Sequence, residues 1–144
     1  APVAPIRSAE PARVIHRTDL PDTPDNRDVV AFCERYRHAL EARDAGALIE
    51  LASPRYLEDG GTADPADDVD HASLADYLRK LFGDVEQIRY ELRYRRVRVE
   101  RDRIVVEVIH SATYVIGGKP RRTVSDNELV LEGHESSYRF LSGM

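Results

Sequence analysis

The side chains able to do chemistry gather in three stretches of this sequence. His110 falls between Val108 and Ala112 in an alternating apolar run. Alternation turns it inward on a strand, where it acts either as a pocket base alongside Asp59 or Tyr114, or as a core histidine held by hydrogen bonds. His16, His38, His71 and His134 are scattered, with no two at ligand spacing on one element; a zinc site is not expected. Between Glu58 and Asp70 stand six acids in thirteen residues, Glu58, Asp59, Asp64, Asp67, Asp68 and Asp70, without one base. Oxygen ligands at that density suit calcium, but the glycine and the acidic twelfth residue of an EF-hand loop are missing from their places. A solvated loop leading into a helix start accounts for the charge more simply. The third stretch holds seven arginines, Arg89, Arg93, Arg95, Arg96, Arg98, Arg101 and Arg103, against Glu86, Glu91, Glu100 and Asp102. Arg89, Arg93 and Arg95 share one parity, opposite Ile88, Tyr90, Leu92 and Tyr94, and form a guanidinium ladder suited to carboxylate recognition. This ladder is expected to be a docking surface for a protein partner or a second copy; otherwise it is a solvated face paired across strands with Glu107 and Glu128.

Composition narrows the function classes. In 144 residues, 21 Lys and Arg stand against 26 Asp and Glu, a net charge of −5, so no overall positive field draws the chain to polyanions. No aromatic residues interleave the arginine ladder, and nucleic acid is not an expected partner. Cys33 is the single cysteine, which excludes an intrachain disulfide and a cysteine-based metal site. Neither a cofactor nor a metal is expected. The apolar runs are a few residues long, far short of the ~20 needed to span a bilayer.

The elements that must position these groups can be read from periodicity. Residues 1–24 hold five of the eight prolines and balanced charge, which predicts an extended tether ahead of one domain over 25–144; Val14-Ile15 could dock as a strand. The start at Ala1-Pro2 fits either a trimmed chain or one whose leader has been removed. Thr23-Pro24-Asp25 is a helix start, and Val29, Cys33, Tyr36 and Leu40 recur at helical spacing over about 25–43. Asp44 caps a short second helix that Ser53-Pro54 ends. Tyr56-Leu57-Glu58-Asp59 forms a short strand broken by Gly60-Gly61. Asp70 caps a third helix with the stripe Leu74, Tyr77, Leu78, Leu81 and Phe82, stopped at Gly83. The period then changes to two. The apolar parity slips after Arg95-Arg96, to Val97 and Val99, which marks a β-bulge. Arg101-Asp102, Gly117-Gly118 and Glu132-Gly133-His134 separate the remaining strands. Four long strands are expected, in the order α-α-β-α-β-β-β-β.

This pattern resembles the nuclear transport factor 2-like, or cystatin-like, superfamily, and within it the polyketide-cyclase and ketosteroid-isomerase-like branch. The resemblance is carried by Glu34-Arg35-Tyr36, Ala39-Leu40, Arg43-Asp44, Leu48, Leu57-Glu58-Asp59-Gly60 and the closing Tyr138-Arg139-Phe140-Leu141, and covers roughly residues 27–144. It implies an α+β cone, in which a strongly curved antiparallel sheet wraps the long helix and the open end can take a small apolar ligand. It also implies pairing through the outer sheet face in some members and proton-transfer chemistry in others. In isomerase-like members a strand carboxylate removes a proton beside a carbonyl, while a helix tyrosine and a protonated acid steady the oxyanion. By position Asp59 matches the base and Tyr36 the tyrosine. The third role departs from the pattern: with Leu129 and Leu131 facing the core, Asn127 enters the pocket and Asp126 points away, and an amide donates a hydrogen bond without sharing a proton.

Two function classes follow. The first is a noncatalytic exported binding or accessory domain, tethered by residues 1–24 and docking through Arg89, Arg93 and Arg95. A proline-rich leader of this kind resembles that of small exported bacterial lipoproteins, which places the domain in the periplasm or at the outer membrane, lipid-anchored ahead of residue 1; the cytoplasm is the alternative. The second class uses the cone, either as an isomerase or cyclase-like enzyme with Asp59, Tyr36 and Asn127, or as a small apolar ligand binder. Tyr90, Tyr94, His110, Tyr114 and Phe140 are expected to line or plug the cone.

Overall fold

The computed structural model describes residues 18–58, 68–134 and 137–144. Residues 1–17 of the expected tether, and Asp59, Gly60, Gly61, Asp64 and Asp67, lie outside the described residues.

Helix α1 (Pro24–Glu41) starts as the sequence requires: Thr23 is extended and its side chain accepts a hydrogen bond from the Asn26 amide, with Pro24 in the first turn. It buries Val29, Val30, Phe32, Cys33, Tyr36, Ala39 and Leu40, a face worth roughly 1.5–3 kcal/mol for each large side chain removed from water. Arg43, at φ 55°, turns the chain into the short helix α2 (Ala45–Leu51), capped by Asp44. Strand β1 (Leu57–Glu58) pairs antiparallel with β2 (Val69–Asp70). The second of these was not expected, because Val69-Asp70 reads as a cap and two residues carry no period. Asp70 and Ser73 then form a reciprocal capping box for α3 (His71–Asp84). Gly83 lies inside the last turn of α3 and is not its stop; the helix ends because Val85 turns extended, at φ −111° and ψ 126°, and buries its side chain.

Four antiparallel strands follow: β3 (Gln87–Glu100), β4 (Arg103–Ile116), β5 (Lys119–His134) and β6 (Ser137–Ser142), in that spatial order. The pairing of β3 with β4 shifts between Tyr94 and Arg96, leaving Arg95 as the extra residue of the expected bulge. A second shift, between Val130 and Leu131, leaves Leu141 extra on β6. Strand β6 has six residues and pairs with residues 130–134 of β5, so the fourth strand is short. The sheet curves around α1, giving the α+β cone.

Inside it, Phe140 has no solvent exposure and its ring centroid lies 4.8 Å from Phe32 and 5.1 Å from Tyr36. The outer edge of β3 is tied to α1 by polar contacts. Arg37 donates to Glu34, Glu41 and the Tyr90 carbonyl; Glu41 accepts from the Tyr90 amide at 2.8 Å, and the Tyr94 hydroxyl donates to Glu34 at 2.7 Å. The Asp19 amide donates to the Tyr94 carbonyl at 2.8 Å, so the end of the proline-rich stretch lies along this edge.

A polar fixture locks α2 to the far end of the sheet. Ser53 is fully buried, its amide donates to the Phe140 carbonyl at 2.8 Å, and its hydroxyl donates to Glu132 at 2.6 Å while Arg55 pairs with the same carboxylate. The bonds from Ser53 and Arg55 hold the Glu132 carboxyl below its ordinary value. A carboxyl lowered on folding contributes stability above its unfolded pKa of about 4.3 and loses that contribution as pH falls through the folded value. Ser53→Ala is therefore expected to lose about 1.5–3 kcal/mol at neutral pH. In urea titrations the gap between wild type and variant should narrow on moving from about pH 7 to about pH 3; a gap that holds its size would show that Glu132 is not what Ser53 stabilises.

Candidate functional site

Helices α1, α2 and α3, strand β1, strands β3 to β5 and the C-terminal residues line a cavity of about 330 Å³ at the open end of the cone. This lies near the lower end of the ~300–1,000 Å³ usual for small-molecule sites. Its floor is apolar, with Leu40, Leu48, Leu78 and Leu81, and its walls carry Tyr36, Tyr77, Tyr90, Tyr114 and His110. The Tyr36 and Tyr90 rings meet edge-on at 6.0 Å. Burial raises the Tyr36 and Tyr114 hydroxyls above their ordinary range and pushes Tyr90 up to about 12. All three are neutral phenols at physiological pH. The His110 ring stacks on Tyr90 at 5.6 Å and lies within 3.1 Å of the Ser125 hydroxyl. Partial burial lowers its pKa, so the imidazole is uncharged at neutral pH.

The C-terminal segment closes one wall. The Asn127 amide donates to the Gly143 carbonyl at 2.9 Å, and the Met144 amide donates to the Tyr56 hydroxyl at 3.2 Å. Gly143, at φ 98°, runs so close to β5 that a Cβ there would stand 2.3 Å from the Glu128 carbonyl oxygen.

Of the residues singled out from the sequence, Tyr36, Tyr90, His110, Tyr114 and Asn127 share this wall. Tyr94 and Phe140 do not; they lie deeper, 1% and 0% exposed, where they fill the cone beneath the cavity. Alternation puts side chains on the inner face but does not say how deep along the cone each one sits. Asp59 lies outside the described residues, and its neighbour Glu58 lines the cavity instead. Leu57 is turned out, 53% exposed. The sequence reading also missed Tyr77, Ser125 and Met144 as cavity residues. Tyr77 reads as part of the α3 apolar stripe, yet it is 47% exposed at the rim.

On the outside of the sheet, Arg89, Arg93 and Arg95 are all exposed. Arg93 and Arg95 each hold the Asp19 carboxylate, at 2.6 and 2.8 Å. The cross-strand pairing to Glu107 and Glu128 is made by Arg98 rather than by the ladder. Among the described residues no group of three or more His, Cys, Asp and Glu is placed to hold a metal ion, and no helix is long and apolar enough to cross a membrane. Cys33 is buried on the inner face of α1, and burial raises its thiol pKa, so it is not a reactive thiol in the folded state.

By sequence, no family model and no curated protein matches the chain. By structure, it has the nuclear transport factor 2-like fold. A provisionally named dehydratase of the NTF2-like family from Streptomyces avermitilis superposes with a TM-score of 0.66 and 16% identity, over 85% of this chain and 95% of the other. A provisionally named calcium/calmodulin-dependent protein kinase II association domain from Xanthomonas campestris gives 0.69 at 17% identity, over 86% and 88%. A provisionally named aromatic ring hydroxylase from Novosphingobium aromaticivorans gives 0.71 at 15%, over 83% and 85%. The fold is thus shared by proteins named as enzymes and by proteins named as association domains, and fold alone does not choose between them.

Proposed function

We propose that this chain is a noncatalytic binding domain that pairs with a second copy of itself through the outer face of its sheet. The observation that carries this reading is the layout of that face. Strand pairing sets Arg93, Ile109 and Asp126 in one row across β3, β4 and β5, and Arg96, Glu107 and Glu128 in the next. One side is basic, the other acidic, and Ile109 is half-buried between them, with Val124 close by and 56% exposed. A two-fold axis lying along β4 places β3 of one copy over β5 of the other, so Arg93 faces the partner copy's carboxylate row and the apolar centres meet. Placement outside the cytoplasm belongs to the same proposal, and its support is the proline-rich composition of residues 1–24.

The enzyme reading retains Tyr36 and Asn127 on one wall. The Asn127 amide already donates to the Gly143 carbonyl. A donor committed inside the fold is poorly placed to meet a developing oxyanion, which weighs against catalysis.

Sedimentation tests the pairing. A dimer is expected at about 0.1 M salt and should weaken at about 1 M, where the Debye length falls from ~10 Å to ~3 Å. Arg93→Glu should yield monomers, and adding Asp126→Arg to that variant should restore the dimer. A monomer at every salt concentration, or a dimer indifferent to the charge swap, overturns the reading.

A further inference from the structure

The register that makes two rows of the outer face complementary across a two-fold axis makes a third row like-charged. Strand pairing sets Arg89, Thr113 and Arg122 in one row across β3, β4 and β5, on the same face as Arg93, Ile109 and Asp126. Under the axis along β4, Arg93 meets the partner's Asp126 and Arg96 meets the partner's Glu128. The same operation lays Arg89 over the partner's Arg122, and Arg122 over the partner's Arg89. We propose that the paired domain takes up a small tetrahedral dianion of the phosphate type between these arginines, and that the anion strengthens the pairing. The inference rests on the pairing proposed above and names a ligand for that interface.

Arg89 and Arg122 are exposed, and neither makes an ion pair among the described residues, whereas Arg93, Arg95 and Arg98 are each held by a carboxylate. The row beyond them, Gln87, Val115 and Pro120, carries no charge. In the row on the other side Glu91 is the one carboxylate, and it already has a partner. Even with Glu91 counted in full, the two copies bring four guanidiniums against two carboxylates to this end of the interface. Facing guanidiniums repel, and the repulsion grows as the two sheets exclude water. A dianion turns it into attraction. Guanidinium forks grip phosphate-type oxygens through paired hydrogen bonds, and a tetrahedral anion offers oxygens to donors on every side. Thr113, half-buried at the middle of the row, lies on the axis and adds a hydroxyl donor. Neighbouring strands stand ~4.8 Å apart, so an anion over Thr113 is within the length of an arginine side chain from either flank. The space between two sheet faces admits a free ion and not a bilayer surface.

Sedimentation of the full chain at fixed ionic strength tests the inference. Exchanging part of the chloride for about 10 mM inorganic phosphate is expected to tighten the dimer about tenfold. Sulfate, alike in shape and charge, should do the same, and acetate should not. The double variant Arg89→Gln with Arg122→Gln loses both the repulsion and the anion site. It should pair in chloride at least as tightly as wild type and ignore phosphate. Both side chains are exposed, so the variant is expected to fold. A wild-type dimer indifferent to phosphate, an equal response to acetate, or a variant that still responds overturns this inference and leaves the pairing standing. Monomers in every salt, from wild type and variant alike, overturn both.

Discussion

Replacing Phe140 with alanine is expected to remove about 3–5 kcal/mol of stability. That is a large share of the roughly 5–15 kcal/mol that keeps a domain folded. Phe140 is fully buried, its ring meets Phe32 and Tyr36 from α1, and its carbonyl accepts the Ser53 amide from the end of α2. Alanine leaves the backbone bond but empties the place where helix and sheet meet, and the surrounding aromatic rings cannot collapse freely around the gap. Urea unfolding should show a much lower midpoint with little change in slope. A loss below about 1.5 kcal/mol would mean that the cone closes over the missing ring and that the core is softer than its packing suggests.

The second large effect belongs to a glycine. Gly133, at φ 103°, lies where β5 runs into β6, paired with Tyr138. A Cβ there would stand 2.1 Å from the Ser137 carbonyl oxygen and 3.1 Å from its carbon. These are backbone atoms of the neighbouring strand, so no side chain can rotate away. Gly133→Ala is expected to cost about 2–3 kcal/mol, by combining a strained backbone conformation with that overlap. The damage should spread along β6, because Tyr138 and Phe140 enter the core from the displaced strand. Amide exchange should speed up first in 137–142 and only later in β3. Uniformly faster exchange across the sheet would contradict this, since it would mean that the hairpin does not open separately.

These two positions show how differently parts of the fold were legible. The helix starts at Thr23, Asp44 and Asp70 could be read directly, because a cap is a local hydrogen bond between residues three apart. The slip in parity at Arg95 announced its bulge for the same reason: an extra residue in a strand must invert the alternation after it. Gly83 misled because glycine often ends helices, but the end of α3 is decided by the burial of Val85 against the rest of the core. The pairing of β1 with β2 joins two residues to two others across the acidic stretch, and a segment that short has no period to detect.

For the site, residue type and alternation sufficed to bring Tyr36, Tyr90, His110, Tyr114 and Asn127 to one interior. Which inward residues line the open end and which plug the narrow one depended on how the strands bend and how far β6 extends, so Tyr94 and Phe140 became core. The commitment of Asn127 to Gly143, and of Arg93 and Arg95 to Asp19, joins residues sixteen and more than seventy positions apart. What the sequence determined by itself is the order of elements, the caps, the bulge in β3 and the division into inward and outward faces, all of which are written within a few neighbouring residues. What only the tertiary structure decided is depth along the cone, the seat of the C-terminal residues and the choice of partner for each polar side chain. Those depend on where distant segments come to rest, which no local pattern records.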